Sequence, residues 1–279
     1  MSVQGNSLND EMNALINQID ATKRDEKFVA WMDFLAAGYN YSFGNWLLIC
    51  MQRPDFTNVR SFRAWKKFKR YPRQGCGIKI LFPKTWYKRY DKNGELIHWS
   101  DKTTKCVRRE FGGLSFGVGN VWDVSDTEGE PLPEVQWHSR VTDETLIEKL
   151  IAFCGENNIS VEFRNERERG AQGWSELGKI VVFGRSVSVF VHEIAHELLH
   201  DKKERSESAK TQLECEAEVV SAIICKRFGI DTNATSAAYL ANWGVDAKVI
   251  RASTTRIQGA VEKICKSLGA ESESEGDEE

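Results

Sequence analysis

The stretch Val191-His192-Glu193-Ile194-Ala195-His196-Glu197-Leu198-Leu199-His200 constrains this chain more than any other. It places His-Glu-x-x-His inside an apolar, helix-compatible run. Residues four apart are neighbours on one helix face, so His192 and His196 can aim two imidazoles at one metal ion. Glu193 lies about 100° further round the helix, where it can touch a metal-bound water without being a ligand. Two His ligands and one carboxylate base are the parts of a zinc hydrolase. Two surface histidines on an amphipathic helix would be the bland alternative. Against it, three of the chain's five histidines fall within nine residues, and apolar residues flank them on both sides.

Catalytic zinc usually keeps three protein ligands and one open position. His200 lies two turns beyond His192, roughly 12 Å along a straight helix. It therefore reads as a residue behind the site or on the surface. The segment Gln212-Leu213-Glu214-Cys215-Glu216-Ala217-Glu218 supplies the better candidate. Glu214 and Glu218 share a helix face one turn apart. Glu214 is expected as the third ligand, and Glu218 as the carboxylate that orients a metal-bound imidazole. Glu216 is the rival for the ligand position.

At 279 residues the chain suits one or two domains with a sizeable core. The polar, acidic N-terminus has no apolar segment of secretory type, and no run approaches the 18 apolar residues of a membrane span. Seven cysteines, odd in number and without a Cys-x-x-Cys pair, fit free thiols in a reducing compartment, so the expected location is cytoplasmic.

The net charge of −3 hides an asymmetry. From Arg53 to Arg109 there are 17 Lys and Arg against four acids, an excess of 13 positive charges. Interleaved aromatics, among them Phe62, Trp65, Phe68, Tyr71, Phe82, Trp86, Tyr87, Tyr90 and Trp99, suit stacking on unpaired bases. Arg60, Lys66, Lys67, Lys69, Arg70 and Arg73 form the candidate phosphate-contacting cluster. Tyr87, Tyr90 and Trp99 are the candidate stackers, and Phe62, Trp65 and Phe82 the candidate core. The expected partner is single-stranded DNA, whose bases are exposed.

In chain order, helices are expected over 8–37, from Ser42 to Met51 and from Ser61 to Lys69. A strand from Gly75 to Phe82 should end at Pro83. A hairpin should follow, turning at Asn93-Gly94, and then strands Val107–Phe111 and Phe116–Asp123. The glycine-rich run Gly112–Gly119 reads as turns and bulges rather than a phosphate loop. Gly129, Pro131 and Pro133 mark a linker within Asp126–Glu134. Beyond it come a helix from Thr142 to Cys154, strands Ile159–Phe163 and Lys179–Phe183, the metal helix, a polar loop from Lys202 to Lys210, and helices over 211–228, 234–243 and 247–268. The tail from Glu271 to Glu279 is acidic and reads as disordered. The fold class is α+β in two domains. The first, 8–134, combines helices with an antiparallel sheet. The second, 140–268, is mainly helical with a small sheet, and 269–279 is the tail.

Taken together, the motifs resemble a known combination. Tyr41-Ser42, Asn45, Leu47-Leu48-Ile49, Gln52-Arg53-Pro54, Val59, Trp65, Gly75 and Pro83 resemble the single-stranded-DNA-binding domain of ArdC-type antirestriction proteins. Val121-Trp122-Asp123 through Pro131-Leu132-Pro133 is similar to the segment that closes that domain, with Trp122 in place of an expected Phe. His192-Glu193-x-x-His196 and Glu214-x-Glu216-Ala217 are similar to the family's zinc metallopeptidase-like domain, and Tyr239-x-x-x-Trp243 matches in kind. The resemblance spans roughly residues 8 to 268. It implies a protein that binds single-stranded DNA, carries a gluzincin-like zinc site and protects incoming DNA from restriction. Peptide hydrolysis would use Glu193 as general base, with an extended peptide on the edge of Lys179–Phe183 and Tyr239 as a weaker candidate for an oxyanion donor. The alternatives are a DNA-protecting protein whose metal is structural, a protease active only on DNA and, more weakly, a metal-dependent nuclease.

Overall fold

The computed structural model describes residues 21–132, 143–165, 172–207, 210–230, 247–270 and 273–274. These form an α+β chain of two compact units. One is built around Leu48–Glu130. The other takes in Pro131–Asp277 together with the described part of Leu15–Leu47.

The first unit centres on a long antiparallel pair, β4 (Ile78–Tyr90) and β6 (Arg108–Asp123). With β2 (Val59–Ser61) and β5 (Leu96–Ile97) they form a sheet of order β2-β6-β4-β5. A short helix, α3 (Phe62–Lys67), follows β2 directly, capped by the Ser61 hydroxyl on the Ala64 N–H. A separate two-stranded pair joins β3 (Arg70–Pro72) to β7 (Thr127–Gly129).

Two expected boundaries in this sheet do not hold. Pro83 does not end its strand, and β4 runs straight through it, paired with Phe116. Proline is tolerated where no ladder partner needs its missing N–H, and β4 has only β6 beside it at this point. The two strands expected over 107–123 are likewise one strand with a register shift opposite Trp86/Tyr87. The glycines make room for aromatic rings on β4. A Cβ at Gly112 would sit 2.2 Å from the Trp86 ring, and one at Gly117 would sit 2.6 Å from Phe82. The glycine run is thus a strand surface that two aromatics cover, with one bulge.

Of the three aromatics expected in the core, Trp65 is fully buried and donates from its indole N–H to the Trp122 carbonyl at 2.8 Å. Phe82 is half-buried on its glycines, and Phe62 is exposed, its ring edge on Trp122. The core of the unit is Val59, Trp65, Ile78, Ile80, Leu81 and Val121.

The second unit is a three-stranded sheet packed against helices. Its strands are β8 (Ser160–Arg164), β9 (Gly173–Glu176) and β10 (Lys179–Phe183), in the order β8-β10-β9. Its helices are α1 (Ala21–Ala36), α4 (Asp143–Glu156), α5 (Val187–Leu199), α6 (Lys202–Glu207), α7 (Lys210–Arg227) and α8 (Ala247–Ser267). Gly184, at φ +87°, turns the chain from β10 into α5. Val187, Phe190, Val191, Ile194, Ala195 and Leu199 recur at helical spacing, and all are buried. The segment expected as a polar loop contains α6, and β9 was not expected at all.

The N-terminal helix also groups differently from the sequence expectation. The division near the expected linker falls between Glu130 and Pro131, but α1 packs with α7 in the second unit, not with the sheet of the first. Phe28 and Trp31 bury themselves in a cluster with Phe43, and Leu35 is buried as well. Lys226 on α7 pairs with Asp33, and Arg227 donates to the carbonyls of Leu35 and Ala270. Helix α2 (Phe43–Gln52) contains the point of division. The expected helices before residue 21 and over 234–243 lie outside the described residues, as does most of the tail. Glu273–Ser274 are described and pair, parallel, with Tyr39–Asn40.

A buried carboxylate holds the first unit's closing turn. Asp123 accepts from the Thr57, Asn58 and Ser125 N–H groups at 2.7, 2.9 and 3.0 Å, and from the Ser125 hydroxyl at 2.7 Å. Burial pushes its carboxyl up, but these donors outweigh it and hold it below the ordinary carboxylate range. The stability it contributes is therefore present at neutral pH and lost as pH falls through the depressed folded value. Asp123→Asn should destabilise the unit by about 2 kcal/mol or more at pH 7. The gap between wild-type and variant unfolding midpoints should close in acid. A gap that stays constant from pH 7 to pH 3 would show that the charge on Asp123 is not what matters.

Candidate metal centre

Helices α5 and α7 bring the three expected ligands together. His192 and His196 sit one turn apart on α5, their Nε2 atoms 3.1 Å from each other. Glu214 Oε2 on α7 lies 3.4 Å from His192 Nε2 and 3.6 Å from His196 Nε2. Among the described residues this is the group whose ligand atoms converge closely enough to hold a metal ion. Three atoms about 2 Å from a tetrahedral ion stand about 3.3 Å from one another, and this triangle matches that spacing.

The partners behind the ligands fix which atoms point inward. Glu218 Oε2 lies 3.0 Å from His192 Nδ1. A carboxylate can only accept, so Nδ1 carries a proton, and once the ring gives up its second proton Nε2 presents its lone pair. His196 Nδ1 is likewise occupied, by His200 Nδ1 at 3.1 Å. Two imidazole lone pairs and a carboxylate thus face one point. Such a nest of acceptors is repulsive unless a cation or a proton sits in it. Zinc suits two imidazoles and a carboxylate, and other divalent ions of similar size accept the same donors.

His200 is neither a surface residue nor a fourth ligand. It ends α5 in an extended conformation (φ −125°, ψ 102°) and is 1% exposed. It meets His196 on the side of the ring away from the triangle. Its Nε2 pairs with Glu216 at 3.1 Å. Glu216, the rival ligand, is fully buried behind the site and accepts from Ser253 and Arg256 on α8.

Glu193 is 7% exposed. Burial raises its carboxyl to about 7, with Glu214 adding to the effect and His192 opposing it. That suits a base working near neutral pH. Strand β9 passes close by: a Cβ at Gly173 would lie 2.9 Å from Glu193 Oε1 and 3.0 Å from Val189 Cγ1. The strand sits at the edge of its sheet, whereas β10, expected to offer an edge, is paired on both sides. Sequence reasoning missed β9 because Gly-Trp-Ser-Glu carries no periodic pattern.

The end of α5 is clamped. Glu197 accepts from the Gly178 N–H at 2.6 Å and pairs with Arg205 at 2.7 Å. Arg205 also donates to the carbonyls of His196, His200 and Ser175. A cation on the last carbonyls of a helix satisfies groups that would otherwise lack partners. Tyr239 lies outside the described residues.

The predicted phosphate cluster is mostly engaged within its own unit. Arg60 bonds Asn58 and lies over the Phe68 ring. Arg70 donates to Thr127 and to the Glu130 carbonyl, Arg73 donates to the Ser125 carbonyl, and Lys69 pairs with Glu130. Lys66 and Lys67 stand exposed on α3. Of the expected stackers, Tyr87 is 51% and Trp99 82% exposed. Tyr90 donates its hydroxyl to Glu110 and lies under Arg108. Phe111, which sequence reasoning did not single out, is 64% exposed and stands directly across from Tyr87, their ring centroids 6.3 Å apart. The next pair on that face is Arg89 and Arg109. No helix among the described residues is long and apolar enough to cross a membrane, and all seven cysteines are free thiols.

No family model matches the chain. An uncharacterized protein of Bacillus anthracis is 28% identical to it over 264 residues, covering 78% of this chain. The chain spans 43% of that relative's length. It is also similar to two solved structures of the antirestriction ArdC protein from plasmid R388, one metal-free and one Mn(II)-bound. Their TM-scores are 0.48 and 0.47 and their identities 18% and 16%. These matches cover 84% and 83% of this chain and 86% of each neighbour.

Proton linkage gives a direct test of the centre. Burial opposes a charge on His192, but hydrogen bonds to Glu214 and Glu218 outweigh it and raise the ring to about 9. Its proton is therefore held at pH 7, and a divalent ion must displace it. Zinc binding at pH 7 should release about one proton per ion and weaken as pH falls. Calorimetry in two buffers of different ionisation enthalpy reads this directly. Zero proton release would mean that His192 Nε2 is not a ligand.

Proposed function

We propose that this chain is an antirestriction-type protein whose first unit binds single-stranded DNA and whose second unit is a zinc-dependent peptidase-like module. The observation that carries the second half is the convergence of His192, His196 and Glu214 beside the buried carboxylate of Glu193. His192, His196 and Glu214 would hold a divalent ion, which would supply Lewis acidity to polarise water or a peptide carbonyl. Glu193 takes the proton of the attacking water and returns it to the leaving amine. The open edge of β9 offers backbone groups to an extended peptide, and Gly173 leaves Glu193 the room to reach it.

The motif order that resembles ArdC-type proteins supports the antirestriction reading, and the hairpin arm supports the DNA partner. Tyr87 and Phe111 pair across β4 and β6 as an exposed aromatic platform, and Arg89 and Arg109 follow on the same face. Rings of this kind stack on unpaired bases while guanidiniums meet phosphates. Among the described residues the site has no second cluster of carboxylates of the kind two-metal phosphodiester chemistry uses, which favours peptide over DNA as the bond to be cut.

Two expected outcomes test the two halves separately. Glu193→Gln should keep one metal ion per chain and lose peptide hydrolysis, assayed on a peptide library with and without oligonucleotide. Hydrolysis that survives the change would remove Glu193 from the reaction. Hydrolysis that appears only with DNA would identify a DNA-activated protease. Tyr87→Ala with Phe111→Ala should weaken binding of a fluorescent single-stranded oligonucleotide by roughly 5- to 100-fold, since each stacked base is worth about 1–3 kcal/mol. The metal content should not change. Equal binding of duplex and single strand by wild type would sink the stacking argument.

A further inference from the structure

The two histidine ligands are held from behind in different ways, and the difference reaches into another helix. We propose that His200 and Glu216 form a buried positioning relay that fixes His196 in the tautomer able to bind metal and ties metal binding to the seating of α8. This rests on the metal-site reading given above.

Atom-by-atom accounting leads to the relay. Glu216 is fully buried and accepts from the Ser253 hydroxyl and from the Arg256 guanidinium, which pairs with it as a carboxylate. It is a carboxylate and can only accept. His200 Nε2, 3.1 Å from Glu216 Oε2, must therefore carry a proton. With that proton on Nε2, the neutral His200 ring has an acceptor at Nδ1, which lies 3.1 Å from His196 Nδ1. His196 then donates from Nδ1 and turns the Nε2 lone pair towards Glu214 and His192. Reversing any one proton would aim an N–H at the metal position.

The far end of the relay is anchored outside the two ligand helices. Glu216 Oε1 accepts from the Ser253 hydroxyl at 2.6 Å and from the Arg256 guanidinium. Both residues lie on α8. By contrast, His192 has a carboxylate directly behind it, and that carboxylate is on α7. Partners behind a metal-binding histidine commonly change metal affinity by 10–100-fold. A relay through a second imidazole makes the orientation of His196 depend on two links and on α8 staying in place.

Zinc affinity, measured by competition with a chromophoric chelator, tests this on the full chain. His200→Phe keeps the ring volume and removes the acceptor, and Glu216→Gln keeps the shape and removes the charge. Each should weaken zinc binding by roughly 10- to 100-fold. The double variant should bind no more weakly than His200→Phe alone, because both break one chain. Ser221→Ala removes another buried α5–α7 hydrogen bond, from its hydroxyl to the Ser188 carbonyl. It should lower the unfolding midpoint and leave zinc affinity alone. Should a relay variant fail to fold, nitrogen-15 spectra of histidine-labelled, zinc-loaded wild type give the answer: the proton on Nδ1 of His196 and on Nε2 of His200. The relay is overturned if both variants bind zinc within twofold of wild type, if Ser221→Ala weakens zinc as much as they do, or if either proton sits on the other nitrogen. Wild type that binds no zinc would remove the metal site itself, and the relay with it. Tight wild-type binding with unaffected variants removes the relay alone.

Discussion

The second unit depends on keeping charge buried between two apolar helices. Helix α5 is lined by Phe190, Val191, Ile194 and Ala195, and α7 by Ala217, Val219, Val220 and Ile224, all of them buried. Into that interface the sequence places three imidazoles and several carboxylates. Buried ionised groups are costly unless each has a partner. Glu197 has Arg205 and the Gly178 N–H, Glu216 has His200, Ser253 and Arg256, and His192 has Glu218. Among the described residues, the two inward Nε2 atoms and Glu214 Oε2 have mainly one another, at 3.1 to 3.6 Å. That convergence is informative, because a cation placed there would lower the energy of the interface.

The first unit solves a different problem, that of carrying excess positive charge on a small sheet. It spends much of that charge internally. Asp126 is buried and faces Arg53 and Arg73, and Arg70 and Lys69 tie β3 to the β7 end of the chain. Guanidiniums committed this way hold the closing turn in place and still contribute a positive field, which favours an anionic partner at long range. In the proposed reading, contact with bases would fall instead to the outer part of the β4–β6 arm. There the core ends at Leu81 and the side chains of Trp86, Tyr87 and Phe111 are all exposed. A two-stranded arm is poor at burying itself, and its rings stay on the surface.

Local chemistry was legible in the sequence. The i, i+4 spacing of His192 and His196, of Glu214 and Glu218, and the turn at Asn93-Gly94 each express a rule that acts within one or two helical turns or a single turn. What could not be read depends on partners distant in the chain. Nothing within Gly173–Glu176 predicts a strand, and the segment becomes one by pairing with β10. Pro83 looks like a strand terminator, and only its position on a one-sided stretch of β4 excuses it. Helix α1 reads as part of the domain it precedes. Its polar links to α7 run through Asp33 and the Leu35 carbonyl, which meet Lys226 and Arg227 almost two hundred residues away. The phosphate cluster was overcounted for the same reason, since the carbonyls and carboxylates that occupy Arg70 and Arg73 lie more than fifty residues on.

His200 shows how a correct local rule can point to an incomplete answer. A straight helix does keep a residue two turns along far from the metal position, so His200 is not a ligand. The helix stops at Leu199, however, and the extended backbone at His200 turns its ring back onto His196. Arg205 secures that stop by taking up the carbonyls of His196 and His200, while Glu197 holds Arg205 in place. The end of the helix is therefore a feature of the candidate metal centre.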